Sequence, residues 1–289
     1  MPRREVNPHF RVTAYLPDYR IATLDPAAVR EVDDLIFFSI MPTSTGDLDL
    51  TRLPPPILQK LHELVNGTGT RLLVAVGGWN RSASFAPMAT NETARIRFVQ
   101  TLTQFCLDNN FAGADFDWEQ PETPAEQQAY AALLIALKKS FAPHRLRLTV
   151  ALAPEPVLPE AALLAVDAIH LMAYDHDGRH STEPQAELDL KTVTVLGVPR
   201  KKILLGVPFY GRSVKDRNHD QTFADIFNQS RPGPETDQVG EMYFNNIRTI
   251  QQKTRYALKN HFGGVMIWEI GQDAPGAASL LRAIYQVLK

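Results

Sequence analysis

The chain has 289 residues, of which 44% are hydrophobic and 21% charged, and its formal net charge is −2. This length suits one large domain, and the near-neutral charge argues against a nucleic-acid-binding protein. Every apolar run is shorter than the roughly 18 residues needed to span a membrane, so no membrane association is expected. The single cysteine, Cys106, excludes an internal disulfide and is expected to be a buried thiol.

Short apolar segments alternate with amphipathic ones along the chain, which is the pattern of repeated β–α units. We predict short, largely apolar strands at Arg11–Leu16, Leu35–Ile40, Arg71–Val76, Gly113–Trp118, Arg147–Leu152, Ala168–Met172, Ile203–Val207 and Gly264–Trp268. We predict helices at Pro55–Val65, Asn91–Asp108, Pro124–Ser140, Ala186–Leu196, Asn246–Lys259 and Ala278–Leu288. The pattern predicts an α/β fold in which residues 1–289 form a single (β/α)8 TIM barrel domain. An open doubly wound sheet is the alternative.

Polar and aromatic residues collect where the predicted strands end. In a (β/α)8 barrel, functional residues lie at the carboxyl ends of the strands, so this distribution favours the barrel. The residues at these ends are Tyr15, Trp79, Glu119, Tyr174, Tyr210 and Trp268.

The stretch from Phe111 to Pro121 reads F-A-G-A-D-F-D-W-E-Q-P. Its acids, Asp115, Asp117 and Glu119, stand at every second position, so a strand would direct all three carboxyls to one face. Carboxylates this close repel one another, and at least one should hold a proton at neutral pH. This is the arrangement of a general acid. An exposed edge strand with a polar side is the alternative, and it fits the flanking apolar residues poorly.

This stretch resembles the signature D-G-x-D-x-D-x-E of glycoside hydrolase family 18, the chitinase family, with Ala112 in place of the first Asp. Four further segments resemble the family in the same order: Val76-Gly77-Gly78-Trp79, Met172-Ala173-Tyr174-Asp175, the stretch Gly206 to Arg212, and the eighth strand with Trp268. Just before the first of them, Ala75 replaces a serine of the family. We expect these two alanines to make the core beneath the acids more apolar and to alter the pKa of Asp115 and Asp117.

The resemblance implies a retaining glycosidase in which the substrate supplies the nucleophile. Glu119 would protonate the glycosidic oxygen, Asp117 would hold the acetamido N–H, and Asp115 would share a proton with Asp117. Tyr174 would donate a hydrogen bond to the acetamido carbonyl. The implied substrate-binding residues are Tyr15, Trp79, Met172, Asp175, Tyr210, Arg212 and Trp268.

No cofactor or metal is expected. The cluster His176, Asp177 and His180 is interpreted as part of a solvated loop, because no further potential ligand stands at a spacing typical of a metal site. The resemblance also implies two non-proline cis peptide bonds, Glu119–Gln120 and Trp268–Glu269. Between Ser213 and Phe244 only ~30 residues are available, which is short for the extra module of the large chitinases, so an open groove is expected.

The expected partners are chitin or N-acetylglucosamine oligosaccharides, with no nucleic acid and no membrane. An endo-β-N-acetylglucosaminidase, a peptidoglycan hydrolase and a chitinase-like lectin of the same family remain alternatives, although such lectins usually lack the catalytic Glu. The first residues, Met1 to Glu5, are charged and do not form a signal peptide. We expect a secreted or extracytoplasmic protein whose leader is absent from this sequence, and a cytoplasmic location stays open.

Overall fold

The computed structural model describes residues 9–155 and 158–289. Its strands are β1 Arg11–Pro17, β2 Asp34–Pro42, β3 Leu48–Asp49, β4 Arg71–Gly77, β5 Gly113–Asp117, β6 Arg147–Leu152, β7 Ala168–Leu171, β8 Ile203–Pro208, β9 Tyr210–Ser213, β10 Asp220–Thr222, β11 Gln238–Val239, β12 Met242–Phe244 and β13 Gly264–Trp268. Its helices are α1 Pro26–Val29, α2 Pro55–Val65, α3 Phe85–Thr90, α4 Glu92–Asp108, α5 Pro124–Phe141, α6 Glu160–Ala165, α7 Glu183–Thr194, α8 Phe223–Ser230, α9 Ile247–Lys259 and α10 Leu280–Val287.

Parallel strands close into a barrel in the order β1-β13-β8-β7-β6-β5-β4-β2, and β2 pairs with β1 to complete the circle. This closure confirms the predicted (β/α)8 barrel and excludes the open doubly wound sheet. All eight predicted strands are present, and each begins and ends within two residues of its prediction. Their apolar runs tolerate burial on both faces, as parallel strands require.

Alternate residues of each strand face either the helices or the barrel interior. The outward side chains join one large core with the helices, which includes Cys106, confirmed as buried. The inward side chains form a smaller cluster that includes Tyr15, Phe38, Ala75 and Met266. This alternation directs every second residue of the strands, including Asp115 and Asp117, into the barrel interior.

The helix limits depend on capping residues that the apolar pattern did not show. Helix α7 begins at Glu183, earlier than predicted, because Thr182 caps it by accepting a hydrogen bond from the Gln185 amide. Helix α10 begins at Leu280 because the Ser279 side chain accepts from the amide of Arg282. The predicted limits of these two helices were therefore wrong by two or three residues at their starts.

The segment between β8 and α9 folds as a small antiparallel sheet, in the order β10-β9-β12-β11, together with α8. The sequence analysis treated it as a short insertion without assigning these elements. The sheet packs against the loop after β7: Arg179 Nε donates to Gln238, and the Asn245 side chain donates to the Ser181 carbonyl at 2.7 Å. The insertion therefore supports the residues that follow β7. Within the ranges that the structure describes, none of the helices combines the length and the apolar character of a membrane span.

Candidate active site

The acids of β5 face the barrel interior, as the period-two pattern predicted. Asp115 and Asp117 are buried, and Glu119, just past the end of the strand, is partly exposed. The side chains between them face outward: Trp118 stacks on Phe85 with ring centroids 5.1 Å apart. The three carboxyls therefore rise along one side of the site towards the carboxyl end of the barrel.

Asp115 is held by polar side chains from three other strands. Tyr15 Oη donates to its Oδ2 at 2.6 Å, and Thr149 Oγ1 donates to its Oδ1 at 2.5 Å. His170 Nδ1 lies 2.9 Å from the same Oδ1. Polar side chains thus reach Asp115, although the interior cluster that holds Ala75 and Ala112 is apolar. Although Ala75 is paired with Asp115 in the strand register, side chains of β1, β6 and β7 supply the polar contacts.

Asp117 and Glu119 both have raised pKa values. Burial, and then the charges of Glu119 and Asp115, raise the pKa of Asp117 well above its usual value. Burial and the charge of Asp175 raise the pKa of Glu119. Such a close pair of carboxyls titrates as a unit, so it retains a proton to a higher pH than an ordinary carboxyl. This property agrees with the prediction that one acid of the strand stays protonated.

Two glycines allow β4 to approach this pair closely. A Cβ on Gly77 would lie 2.4 Å from the Asp117 carbonyl oxygen, and a Cβ on Gly78 would lie 2.1 Å from Phe38. Both glycines have positive φ, 98° and 109°, which favours glycine. The following Trp79 is 73% exposed at the rim of the barrel. The turn therefore brings a flat apolar ring beside Glu119 without crowding the acids.

Trp268 forms an aromatic floor at the end of β13. Its ring lies edge-on to Phe38 at 4.7 Å and tilted against Tyr15 at 5.5 Å between centroids. The predicted cis bonds Glu119–Gln120 and Trp268–Glu269 are both present, and the sequence analysis missed a third, Phe38–Ser39. The third bond lies where the register between β2 and β4 shifts.

Tyr174 and Met172 reach the site from the end of β7. Burial and the charges of Asp175 and Asp117 raise the pKa of Tyr174 well above 10.0, so its hydroxyl keeps its proton as a donor. Gly206 leaves room for the ring, since a Cβ there would lie 2.9 Å from Tyr174 Cε1. Met172 lines a cavity of about 170 Å³ together with Glu119 and Trp79.

Asp175 is bound by the residues predicted after β8. Tyr210 Oη donates to its Oδ1, and Arg212 Nη1 forms an ion pair with the same oxygen at 2.8 Å. Although burial would raise the pKa of Asp175, the contacts with His180, Tyr210 and Arg212 hold it below its usual value. Asp175 therefore stays ionised, and its charge acts on Glu119 from across the site.

The family model for glycosyl hydrolases family 18 matches residues 36–273, which include the acid strand, the glycine turn and the Trp268 floor. The chain belongs to glycosyl hydrolase family 18. The five sequence segments that resemble this family thus come together around one site.

Family 18 relatives cover most of this chain. A probable chitinase 2 of Drosophila melanogaster is 25% identical over 271 residues, and the alignment covers 70% of this chain and 56% of the relative. Chitotriosidase-1 of Mus musculus is 24% identical over 286 residues, and the alignment covers 75% of this chain and 62% of that relative. The chain thus spans little more than half the length of these relatives.

Solved family 18 structures share the fold. The GH18 chitinase ChiB of Flavobacterium johnsoniae superposes with a TM-score of 0.87 at 26% identity, and the match covers 96% of this chain and 94% of that one. A chitinase of Bacteroides thetaiotaomicron superposes with a TM-score of 0.88 at 20% identity and 96% coverage of each chain. The second likeness shows the fold alone.

The loop residues that could suggest a metal site have other contacts. His176 Nε2 lies 2.9 Å from Asp189 Oδ2, and Asp177 accepts from Arg217 Nη1 at 2.9 Å. His180 is buried against the Tyr210 ring, 5.0 Å between centroids, rather than in a solvated loop. In residues 9–155 and 158–289, no group of three or more His, Cys, Asp or Glu side chains could hold a metal ion.

Sequence reasoning missed several residues of the site. His170 and Thr149 contact Asp115, and the Ser82 hydroxyl accepts a hydrogen bond from the Glu119 amide at 3.2 Å. His170 could have been found, because it stands two and four residues before Met172 and Tyr174 on the same face. Ser82 carries no such signal, since it lies in the loop after β4, outside every strand.

Proposed function

We propose that this family 18 protein hydrolyses β-1,4-linked N-acetylglucosamine in chitin or its oligomers, with retention of configuration and with the substrate's acetamido group as nucleophile. The observation that carries the proposal is the placement of Asp115, Asp117 and Glu119 on one side of the site, along one strand and its extension. A retaining enzyme with a carboxylate nucleophile needs that carboxylate about 5 Å from the acid, on the opposite face of the sugar. Asp175, which follows β7, is already engaged by Tyr210 and Arg212.

Glu119 is the proton donor in this proposal. It is the outermost of the three acids and the only one that is partly exposed, so it can reach a glycosidic oxygen in the cleft. Its raised pKa keeps it protonated closer to neutral pH than an ordinary glutamate. As the bond to the leaving sugar breaks, the proton of Glu119 passes to the leaving oxygen.

Asp117 and Tyr174 orient the acetamido group. The buried Asp117 Oδ1 has no hydrogen-bond partner among the described residues, so it is available to accept from the acetamido N–H. Tyr174 Oη makes a weak contact with Met266 Sδ at 4.0 Å, so it can donate to the acetamido oxygen instead. The acetamido oxygen then attacks the anomeric carbon and forms an oxazolinium ion, whose positive charge Asp117 stabilises. Glu119, now a carboxylate, removes a proton from water as the water opens the ring.

An open groove supports an extended substrate. Beyond the cavity beside Glu119, a depression of about 580 Å³ lies near the carboxyl ends of β1 and β2, lined by Asp18, Tyr19, Met41 and Arg52 among others. Tyr19 is 62% exposed there, and Trp79, which lines the cavity beside Glu119, is 73% exposed. Flat aromatic rings suit the apolar faces of successive sugars. A structure of a Cycas revoluta class V chitinase mutant contains (GlcNAc)3, which supports the same ligand class for this chain.

The Glu119→Gln variant tests the proton donor. Glutamine keeps the shape but has no acidic proton, so kcat on N-acetylglucosamine oligomers should fall by about 10²–10⁴-fold while oligomer binding persists. The Glu122→Gln variant is the matched control, since Glu122 is exposed and lies three residues away. A Glu119→Gln enzyme that keeps most of its rate would refute this assignment.

Oligomers with and without the acetyl group test the nucleophile. A fully deacetylated oligomer should not be cleaved, a thiazoline analogue of the oxazolinium should inhibit, and the β-anomer should appear first by NMR. Cleavage of the deacetylated oligomer at a similar rate, or an α-anomer appearing first, would exclude substrate assistance. Parallel assays on a high-mannose glycopeptide and on peptidoglycan separate a chitinase from the other hydrolases considered, and binding without turnover would identify a lectin.

A further inference from the structure

The barrel interior carries a second charged group at the end opposite the acids. Arg11, Arg71 and Arg147 are the first residues of β1, β4 and β6. The residues around Asp115 on these strands, Tyr15, Ala75 and Thr149, follow the arginines by four, four and two positions. Residues two apart on a strand share a face, so these arginines face the base of the barrel interior. Asp34 begins β2 beside them. We call Arg11, Asp34, Arg71 and Arg147 the base cluster.

The base cluster has more positive than negative charge. Asp34 accepts from Arg11 Nε at 2.9 Å, and it accepts from Arg71 at 2.6 Å and 3.0 Å. Two guanidinium groups thus share one carboxylate. Arg147 is close enough for the charges of Arg71, Asp34 and Arg11 to act on it, but it makes no ion pair with Asp34 within 4.0 Å.

The other acids near this end of the barrel are engaged elsewhere. Asp167 forms an ion pair with Lys138 and accepts from the Leu148 amide at 2.9 Å. The Asp33 carboxylate accepts from the Val12 amide at 2.8 Å. Neither acid is bonded to Arg147, so the third positive charge of the base cluster lacks a paired carboxylate within the described residues.

Two buried polar atoms in this region also lack partners. Within residues 9–155 and 158–289, neither Arg147 Nε nor Thr13 Oγ1 has a hydrogen-bond partner. Thr13 is fully buried, faces the interior between Arg11 and Tyr15, and is paired with Asp34 in the strand register. Buried donors are satisfied in nearly all native structures, and each exception requires an explanation such as a bound ion or water.

Ala112 has a small side chain between the strands that carry Arg71 and Arg147. Its amide donates to Leu72 O at 2.7 Å and its carbonyl accepts from the Arg147 amide at 2.8 Å, so it lies between the strands of Arg71 and Arg147. Its side chain packs against the interior cluster. The family signature has an aspartate here, and this chain thus lacks a carboxylate next to its unpaired arginine.

We propose that the base cluster binds a small oxyanion, a carboxylate or a phosphate, between Arg147 and Arg71 beside Ala112. The planar guanidinium fork pairs with two oxygens of such an anion, and the anion takes the place of the missing aspartate. The Arg11 and Arg71 side chains are 26% and 34% exposed, so the site is reached from the solvent at the base of the barrel.

Thermal unfolding at pH 7 and constant ionic strength tests the site, with sodium chloride replaced stepwise by sodium phosphate or sodium acetate. An anion with a dissociation constant of about 1 mM raises Tm by about 3 °C at ten times that concentration. Comparing phosphate with acetate shows whether the site binds a phosphate or a carboxylate. Calorimetric titration with inorganic phosphate and with acetate gives the stoichiometry directly, and we expect one site for whichever anion raises Tm.

Two variants and one control locate the effect. Arg147→Met should abolish the anion-dependent rise in Tm, and Ala112→Asp should abolish it while raising Tm in chloride, because the chain then supplies its own carboxylate. Arg255→Met, which removes an exposed arginine of α9, should respond as the parent does. Turnover of oligomers should be the same with and without phosphate, since the acids lie at the other end of the barrel. An equal Tm in all three salts, or an unchanged response in either Arg147→Met or Ala112→Asp, would overturn the proposal.

Discussion

Replacing Thr149 by valine removes one donor from Asp115 and leaves the shape of the side chain nearly unchanged. Thr149 is buried and donates to Asp115 Oδ1 at 2.5 Å. A hydrogen bond to a charged group contributes about 1.5–3 kcal/mol to the free energy of unfolding. Asp115 keeps Tyr15 Oη at 2.6 Å and His170 Nδ1 at 2.9 Å, so we expect a loss near the lower limit, about 1.5 kcal/mol.

The same substitution should slow the reaction, because Asp115 supports Asp117. If the contact is stronger in the transition state than in the free enzyme by about 1.4 kcal/mol, its loss lowers kcat/KM tenfold. Urea unfolding measures the first quantity and oligomer hydrolysis the second. Thr103→Val is the control. It removes a buried hydroxyl between α4 and α5 that donates to Val99 O at 2.7 Å and contacts Ser140 Oγ. Because this hydroxyl contacts none of the acids, kcat/KM should not change.

A double-mutant cycle decides whether the effect passes through Asp115. In an Asp115→Asn background, Thr149→Val should cost much less activity than in the parent, since the carboxylate that it supports is gone. Equal losses in the two backgrounds, or no loss in the parent, would show that Thr149 does not act by holding Asp115.

Three further predictions concern charge near the site. Asp175→Asn removes the negative charge that raises the pKa of Glu119, so the alkaline limb of kcat/KM should move to lower pH, with about a tenfold or greater loss of activity; an unmoved limb would assign the raised pKa to burial alone. Burial lowers the pKa of Lys253 to about 7 from 10.5, so between these pH values the unfolded chain binds more protons and the free energy of unfolding rises with pH. In urea unfolding, Lys253→Met should remove about 2 kcal/mol of this rise between pH 7 and 9. An unchanged rise would show that the folded protein keeps this lysine protonated. Ala75→Ser places a hydroxyl beside Asp115 and should shift the pH–rate profile, and an identical profile would show that the position does not act on the acids.

The sequence determined the barrel and the line of acids, because both follow from local periodicity. Eight apolar strands alternating with helices close a barrel, and Asp115, Asp117 and Glu119 share a face whatever their neighbours are. The residues grouped at the strand ends, from Tyr15 to Trp268, lie together for the same reason. The predicted cis bonds after Glu119 and Trp268 depended on the family resemblance.

Tertiary structure alone decided which side chains touch the acids. Tyr15, Thr149 and His170 meet Asp115 although they come from three strands far apart in the chain, and their approach depends on strand tilt and register rather than on any local pattern. The small sheet after β8 was missed because strands of two to four residues are too short to show a period. The base cluster was missed for a related reason: each of its arginines opens a different strand, and only closure of the barrel brings their charges together around a single carboxylate.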